Sequence, residues 1–356
     1  MSFENSDYRL ETIDLENPFD VKFAHNFLSP LGFDYKPDEV EYTVILHNLN
    51  DNIIGTGSFS KNILKFVAVQ PEYRSSTAFA DIVTHLNEQL LTKYQKIFVY
   101  TKPLNLPAFE GLGFKEIATA QPIYSVLEFG FKTIDDYKKY LLSRKKSVQS
   151  NNIAAVVMNC NPFTVGHKYL VERAAEENDI VYLFVVEEDK SVFPFEIRWK
   201  LVERGVAHMK NVIMIKGGDY IVSAATFPSY FLKNENVGTI TKKQTELDIR
   251  VFGKHIAPVL GIKKRYVGTE NYCQTTASYN ETMKQVLPDY DIELVEIHRK
   301  SITGDDYISA SKVRKAIKED RIKEMFPYLP VTTLEYLLSS ESAEIRKKIK
   351  ESSGRH

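Results

Sequence analysis

Residues 153–167 have the sequence IAAVVMNCNPFTVGH, and this stretch decides the fold of the second half of the chain. Six consecutive apolar residues, 153–158, predict a strand that is buried on both faces, as is typical of a parallel sheet. A helix is predicted to start near His167, directly after Gly166. Ligands of an open parallel sheet bind beyond the carboxyl ends of its strands. Residues 159–167 are therefore expected to meet a ligand.

The segments that follow alternate between strand and helix patterns. Further strands are predicted at 180–186, 212–215, 265–267 and 292–297, and helices at 167–177, 195–209 and 309–319. This alternation with short connections indicates a Rossmann-like parallel sheet with right-handed crossovers. We assign it to a domain at 153–326. A charged amphipathic helix is predicted at 331–350, within a C-terminal helical extension at 327–356.

The first half has a different pattern, which predicts an α+β domain at 1–130. Predicted strands at 42–47 and 53–60 flank a turn-rich segment and form a hairpin. Other strands are predicted at 63–69, 97–100 and 123–129, with helices at 78–94 and 106–112. Residues 131–152 join a basic helical stretch to the polar run SVQSNN and are predicted to be a linker. The overall fold class is α/β.

The composition excludes several classes of protein. Lys and Arg (46) balance Asp and Glu (47), so a basic surface for nucleic acid is not expected. Two cysteines, Cys160 and Cys273, are too few for a disulfide framework or a four-ligand zinc site. No signal-peptide pattern and no membrane-length apolar run is present, so we expect a soluble cytoplasmic protein without a membrane partner.

The motif TVGH, residues 164–167, has the residue types of a phosphate site. Gly166 allows the backbone to approach a ligand closely, and the start of a helix offers unpaired N–H groups to an anion. Thr164 adds a hydroxyl and His167 an imidazole. The alternative is a simple turn followed by a capping or packing residue.

A second segment, YISASKVR at 307–314, places hydroxyl and basic groups at another predicted helix start. Ser309 or Ser311 could be no more than an N-cap, the commonest role of serine at this position. The same helix start, with Arg314 one turn further on, also suits a polyphosphate.

The pair T-x-G-H and I-S-x-S-x-V-R resembles the two motifs of the cytidylyltransferase-like nucleotidylyltransferase superfamily, in the same order and more than 100 residues apart. The resemblance implies an attack on the α-phosphorus of ATP, with Mg²⁺ bridging the phosphates and no separate carboxylate metal cage. It implies that the catalytic residues are Thr164, His167 and Lys190. It implies that the ATP-binding residues are Asn161, Phe163, Gly166, Arg198, Gly268, Thr269, Glu270, Ser309, Ser311 and Arg314.

Three of these positions have plainer alternatives. Lys190 could be a solvated loop lysine, Arg198 could form a surface ion pair on its helix, and Gly268 could mark an ordinary turn. Charge stabilisation at the α-phosphate is the role implied for Thr164, His167 and Lys190.

The first half resembles GNAT-type N-acetyltransferases through VAVQPEYR at 67–74 and LGFKE at 112–116. That family binds the acetyl-CoA pyrophosphate with a glycine-rich loop after the arginine. Here the loop reads SSTAF, residues 75–79, without a glycine. The resemblance therefore implies a GNAT-like fold whose acetyltransferase activity is lost.

A GNAT-like half followed by MNCNPFTVGHKYLVE at 158–172 resembles the citrate lyase ligase family, with the likeness extending to about Phe326. The resemblance implies that acetate and ATP form acetyl-adenylate and pyrophosphate. The acetyl group then passes to the thiol of a CoA-like prosthetic group on the acyl carrier subunit of citrate lyase, which activates that enzyme. The protein would thus be an acid–thiol ligase, an enzyme that forms a carbon–sulfur bond.

Three other functions are kept as alternatives. They are a nucleotidylyltransferase acting on a phosphorylated small molecule, a GNAT-type acetyltransferase, and a nucleotide sensor without catalysis. The segment 220–230, rich in small and aromatic residues, is a candidate acetate pocket, and its alternative is an ordinary buried helix. The sequence leaves open the oligomeric state, the selectivity for the acyl chain and the surface that docks the carrier.

Overall fold

The computed structural model describes residues 8–148, 150–187, 191–223, 237–270, 274–299, 301–303 and 306–351. The described residues form two compact units. One contains residues 8–136 with 237–247, and the other contains residues 137–223 with 248–351. Among these residues no helix combines the length and the apolar character needed to cross a membrane.

The strands are β1 Tyr8–Thr12, β2 Tyr42–Asn48, β3 Ile53–Ser60, β4 Ile63–Val69, β5 Lys96–Thr101, β6 Lys115–Ala120, β7 Tyr124–Gly130, β8 Ile153–Met158, β9 Ile180–Val185, β10 Val212–Lys216, β11 Lys264–Gly268, β12 Glu293–Ile297, β13 Ser301–Thr303 and β14 Asp306–Tyr307. The helices are α1 Pro18–Leu28, α2 Ala78–Leu91, α3 Leu106–Glu110, α4 Ile134–Arg144, α5 Val165–Glu177, α6 Phe195–Val206, α7 Val237–Val251, α8 Ala257–Leu260, α9 Gln274–Val286, α10 Ala310–Lys318, α11 Val331–Leu338 and α12 Ala343–Glu351. A π-helical turn, Phe252–Ile256, joins α7 to α8.

The first unit is an α+β domain, as the sequence predicts. Its seven strands have the order β1-β2-β3-β4-β5-β7-β6. The predicted β2–β3 hairpin is present, and β4 and β5 are the parallel neighbours. They pair only at Ile63 with Phe98 and at Leu64 with Val99. Helix α2 buries Ile82, Val83 and Leu86 against this sheet.

The second unit contains the predicted parallel sheet, with strand order β10-β9-β8-β11-β12. Every pairing in it is parallel. Each residue of β9 is buried, which explains the uninterrupted apolar sequence of that strand. Helices α5, α6 and α10 pack their apolar residues on this sheet, among them Val171, Leu201 and Val313. The loops after β8 and β11 therefore lie at the carboxyl edge of the sheet.

Part of the predicted linker is the ordered helix α4. The hydroxyl of Tyr137 donates to the Lys216 carbonyl (2.8 Å), and the Lys216 N–H donates to the hydroxyl of Tyr140 (3.1 Å). Arg144 donates to the Met214 carbonyl (3.3 Å). These bonds occupy backbone groups of the edge strand β10, which would otherwise be open to pairing with another chain.

The C-terminal extension differs from its prediction as one helix over 331–350. The structure has two helices, α11 and α12, separated by a 3₁₀ turn, Ser340–Ser342. The hydroxyl of Ser342 donates to the carbonyls of Leu337 and Ser339 (both 3.0 Å). Such side-chain bonds compete with the helical backbone pattern and end α11 at this point.

We predict that Gly205→Ala destabilises the protein. Alanine is ordinarily better than glycine in a helix interior by about 1 kcal/mol. Here the added Cβ would lie 2.4 Å from Cε1 of the buried Phe163 ring. We expect a loss of about 1–3 kcal/mol in the free energy of unfolding, as for other overpacked cores. Urea denaturation measures it, with Lys200→Ala on the exposed face of α6 as control. A Gly205→Ala protein as stable as the wild type would contradict this packing.

Candidate functional site

The loop after β8 is shaped by a capping box at the start of α5. Thr164 is the N-cap, and its Oγ1 accepts a hydrogen bond from the His167 N–H (3.3 Å). In return the Thr164 N–H donates to Nδ1 of His167 (3.1 Å). The sequence alternative of a cap at this position is therefore correct, and the same bonds also fix the imidazole.

These bonds determine the tautomer of His167. A backbone N–H is always a donor, so Nδ1 is an acceptor and carries no proton. Burial, with a smaller contribution from the charge of Arg299, lowers the pKa of His167 to about 4. The imidazole is neutral at pH 7, and its single proton is on Nε2. His167 thus has one N–H donor that the capping box does not use.

Phe163 supports the imidazole from within the core. Its ring lies nearly parallel to that of His167, with 10° between the planes and 6.1 Å between the centroids. The ring is fully buried, and the Phe163 carbonyl accepts a hydrogen bond from the Thr333 hydroxyl (2.9 Å). The C-terminal helix α11 therefore braces the motif loop, a role for Thr333 that the sequence did not indicate.

The second motif meets the first. A Cβ added to Gly166 would lie 3.3 Å from Cγ2 of Ile308, so the two segments touch at the glycine. Arg314 donates through Nη1 to the carbonyl of Asn161, 153 residues away along the chain. Through Nη2 it also donates to the hydroxyl of Ser311 (3.1 Å). The structure thus brings together the two halves of the predicted phosphate site.

Two helix N-termini consequently lie side by side. Ser309 is the N-cap of α10, and its Oγ accepts from the Ser311 N–H (3.2 Å), so the capping alternative is again correct. An accepting hydroxyl keeps its own proton for donation. In the first turn of α5, the N–H groups of Val165 and Gly166 have no partner within the helix. Both helix dipoles favour an anion at this junction.

Arg198 is buried, which excludes the surface ion pair considered from the sequence. Its Nε donates to the Phe193 carbonyl (2.9 Å). Its Nη1 donates to the carbonyls of Asn159 (2.9 Å) and Val186 (2.6 Å). Asn159 lies in the connection from β8 to α5, whereas Val186 and Phe193 lie at the two ends of the connection from β9 to α6. One guanidinium therefore joins two connections at three points. The Asn161 side chain adds to this arrangement by accepting from the Phe193 N–H (3.1 Å).

The third group of predicted residues lies at the end of β11. The Thr269 N–H donates to the Ile297 carbonyl (2.9 Å), and the buried carboxylate of Glu270 pairs with Arg299. Arg299 also donates from Nε to the Thr269 carbonyl (2.8 Å). Sequence reasoning missed Arg299, although a basic residue just after a predicted parallel strand is a detectable signal. The packing of Gly268 is loose, since an added Cβ would come no closer than 3.7 Å to Arg299.

The remaining predictions concern Lys190, the cysteines and metal ligands. Lys190, Cys273 and residues 224–230 of the candidate acetate segment lie outside the described residues, and Tyr220 ends a short 3₁₀ turn. Cys160 is a free, buried thiol whose pKa is raised by burial. Within the described ranges, no group of three or more His, Cys, Asp or Glu side chains is placed to hold a metal ion.

Comparison with known proteins finds a matching family model and several relatives. The family model described as "Citrate lyase ligase C-terminal domain" matches residues 153–337. The chain is 38% identical over 306 residues to the [Citrate [pro-3S]-lyase] ligase of Haemophilus influenzae, covering 84% of this chain and 90% of that protein. It is 35% identical over 311 residues to the protein of the same name from Escherichia coli, covering 85% and 87%.

Among solved structures, one similar chain is a spermidine N-acetyltransferase from Vibrio cholerae in complex with CoA and spermine. It is 14% identical and has a TM-score of 0.30. The match covers 36% of this chain and 97% of that chain.

We predict that the free energy of unfolding falls as the pH is lowered from about 6.5 to about 4. The reason is that in this window the unfolded chain binds a proton at His167, whereas the folded chain keeps the imidazole neutral. Urea denaturation at a series of pH values should show this dependence in the wild type and in a His208→Gln control, and a smaller one in His167→Gln. Nitrogen NMR showing a doubly protonated His167 imidazole at pH 6 would contradict the assignment.

Proposed function

Because the chain belongs to the citrate lyase ligase family, we propose that it is an acid–thiol ligase that activates citrate lyase by acetylation. It uses ATP to join acetate to the thiol of a CoA-like prosthetic group on the acyl carrier subunit of that enzyme. The observation that supports the proposal is the convergence of residues 159–167 with Ile308, Ser309, Ser311 and Arg314 at one junction of two helix N-termini.

The first half-reaction is an adenylyl transfer. A carboxylate oxygen of acetate attacks the α-phosphorus of ATP, the new oxygen–phosphorus bond forms, and the bond to the bridging oxygen breaks as pyrophosphate leaves. Acetate reacts as the anion, so no base is needed. Such a reaction depends mainly on positioning and on stabilising the charge of the phosphoryl oxygens.

Three groups of the loop after β8 suit the α-phosphate. His167 offers the Nε2–H that its capping bond leaves available, and Thr164 holds the imidazole in that orientation. The first-turn N–H groups of α5 add neutral donors beside it. We assign Lys190 the same role from the sequence alone, since it lies outside the described residues.

The β- and γ-phosphates suit the start of α10. Ser309 and Ser311 place two hydroxyl groups there, and Arg314 brings a positive charge to the same point. Pyrophosphate would be held at this position while the new bond forms. The charge of Arg314 and the two helix dipoles would stabilise it as a leaving group.

Residues at the end of β11 suit the nucleoside. We assign Gly268, Thr269 and Glu270 to the base and sugar, because they follow the strand adjacent to β8 at the same edge of the sheet. Asn161, Phe163 and Arg198 act by positioning, since Phe163 and Arg198 are fully buried and hold the loops that carry the other groups.

Mg²⁺ fits this site as an ion carried by the phosphates. The motif loops present hydroxyl, amide and basic groups, and the described residues hold no acidic cluster of the kind that binds a metal. Mg²⁺ commonly binds through few protein ligands and several phosphate oxygens. When bound, it would neutralise phosphate charge.

The second half-reaction transfers the acetyl group. The thiol sulfur attacks the acyl carbon of acetyl-adenylate, the carbon–sulfur bond forms, AMP leaves with its oxygen, and the thiol proton is released. We assign both half-reactions to a catalytic domain at 153–326, preceded by a linker at 131–152 and followed by the C-terminal extension at 327–356.

The GNAT-like domain, 1–130, is proposed to have no acetyltransferase activity. The Ala78 N–H at the start of α2 is occupied by the hydroxyl of Ser76 (3.2 Å), and Asp81 brings a negative charge to the same turn. Phe79 packs edge-on against Phe109, with centroids 5.0 Å apart. The turn that would face a pyrophosphate is thus filled by the protein's own groups.

ATP–pyrophosphate exchange tests the proposed function. With purified protein and Mg²⁺, labelled pyrophosphate should enter ATP only when acetate is present, because only the acetyl-adenylate step is reversible without a thiol acceptor. Exchange that requires a phosphorylated acceptor in place of acetate would identify a different nucleotidylyltransferase. ATP binding without exchange under any acceptor would identify a sensor.

Three variants test which residues contribute to that exchange. His167→Ala should lower its maximal rate by about 100-fold or more, the cost of losing one preorganised donor to a developing oxyanion. Ser309→Ala and Arg314→Ala should mainly raise the KM for ATP. Arg204→Ala, whose side chain is 60% exposed on α6, is the matched control. Wild-type exchange kinetics in folded His167→Ala would remove His167 from the mechanism.

A further inference from the structure

We propose that the guanidinium of Arg265 binds the carboxylate of the acid substrate, in a subsite between β11 and α9. The proposal rests on the proposed function and adds to it the residue that recognises acetate. Arg265 is in the second position of β11 and is 2% exposed.

The guanidinium has unused donors. Its Nε and Nη1 are buried and have no hydrogen-bond acceptor in the described part of the chain. One face of the group is covered by the ring of Phe252, 4.6 Å from the guanidinium carbon. A buried cation with unpaired N–H groups is costly unless an anion completes it. A carboxylate is the anion that a guanidinium pairs with most effectively.

The nearby acidic group does not complete it. The carboxylate of Asp248 accepts from the Val222 N–H (2.7 Å) through Oδ1 and from the Tyr279 hydroxyl through Oδ2. Both oxygens therefore have donors, and Asp248 forms no ion pair with Arg265 within 4.0 Å among the described residues. The Tyr279 hydroxyl is hydrogen-bonded both to Asp248 and to Arg265, and the Nε and Nη1 groups of Arg265 remain available.

Arg265 itself is in the amino-terminal half of β11, and contacts of its neighbours link it to the carboxyl edge of the sheet, where the proposed nucleotide site lies. Asn280, next to Tyr279 on α9, donates to the Gly268 carbonyl at the end of β11 (3.1 Å). Val222 belongs to the connection that follows β10, and its backbone is in the left-handed region (φ 45°), which a β-branched side chain rarely adopts. Asp248 holds this connection beside Tyr279. The connection after β10 is therefore linked to the Arg265 cluster through Asp248, and the end of β11 is linked to it through α9.

The chemistry selects a small carboxylic acid. The apolar ring of Phe252 and the hydroxyl of Tyr279 flank the cation, so a subsite at this point would suit one carboxylate with a short aliphatic group. An acid held this way keeps one oxygen bound to the protein, and its other oxygen is available to attack the α-phosphorus. Arg265 orients the nucleophile, whereas the groups around His167 stabilise the phosphate.

Acetate-dependent ATP–pyrophosphate exchange by Arg265→Lys and Arg265→Gln tests the proposal. The KM for acetate should rise by about 10- to 100-fold, the range expected when charge-assisted hydrogen bonds are lost, while the KM for ATP stays near its wild-type value. Arg204→Gln is the matched exposed control. An unchanged KM for acetate, or an increase confined to ATP, would overturn the assignment.

A binding measurement tests the subsite without requiring turnover. A check of the fold separates a loss of binding from misfolding. Saturation-transfer NMR should detect [¹³C]acetate on the wild type and lose that signal in Arg265→Lys, which keeps the positive charge and is checked for fold by circular dichroism. A folded Arg265→Lys protein that binds acetate like the wild type contradicts the subsite. Wild-type protein that binds acetate at Arg265 but shows no exchange would instead contradict the proposed function.

Discussion

Three backbone carbonyls at the carboxyl edge of the parallel sheet converge on one buried guanidinium, that of Arg198. One belongs to Asn159 in the loop after β8, and the other two belong to Val186 and Phe193 in the loop between β9 and α6. Without Arg198 these carbonyls would be buried without donors, at a cost of about 1–3 kcal/mol for each. The hydrogen bond from Arg198 to the Asn159 carbonyl therefore holds the loop that carries the capping box in place before any ligand is present. The orientation of His167 and the contact between Gly166 and Ile308 both depend on that loop.

In this site the groups that carry positive charge are different from the group that supplies a precisely directed hydrogen bond. Positive charge comes from Arg314, from Arg299 and from two helix N-termini, whereas His167 is neutral and contributes one directed Nε2–H. A protonated His167 would face Arg299 and would have to break its bond from the Thr164 N–H. A neutral donor fixed by the backbone needs no reorganisation as charge develops on a phosphoryl oxygen. In the proposed subsite, Arg265 of β11 is the corresponding fixed group that holds the carboxylate of the acid.

The sequence predicted the order of strands and helices around the first motif and the helix of the second, because each has an apolar strand or a helix cap with a distinctive local pattern. It did not predict the short strands β13 and β14 before the second motif. The resemblance to a known superfamily implied that both motifs serve one ATP site, and the structure brings them into contact. The sequence did not predict the break after Leu338, which depends on Ser342 bonding back to two carbonyls. Nor did it predict the bracing role of Thr333 or the burial of Arg198, because both depend on tertiary contacts with residues distant in the chain. Helix α9 was missed because its sequence is mostly polar.

The central claim is that an acetate oxygen becomes bonded to the α-phosphorus of ATP. It is tested most directly by supplying [¹⁸O₂]acetate, ATP, Mg²⁺ and the citrate lyase carrier with its thiol, and then analysing the products by mass spectrometry. The account predicts that each AMP released carries one ¹⁸O atom on its phosphate and that pyrophosphate carries none. Label in pyrophosphate or inorganic phosphate, or AMP without label from a reaction that acetylates the carrier, would contradict it.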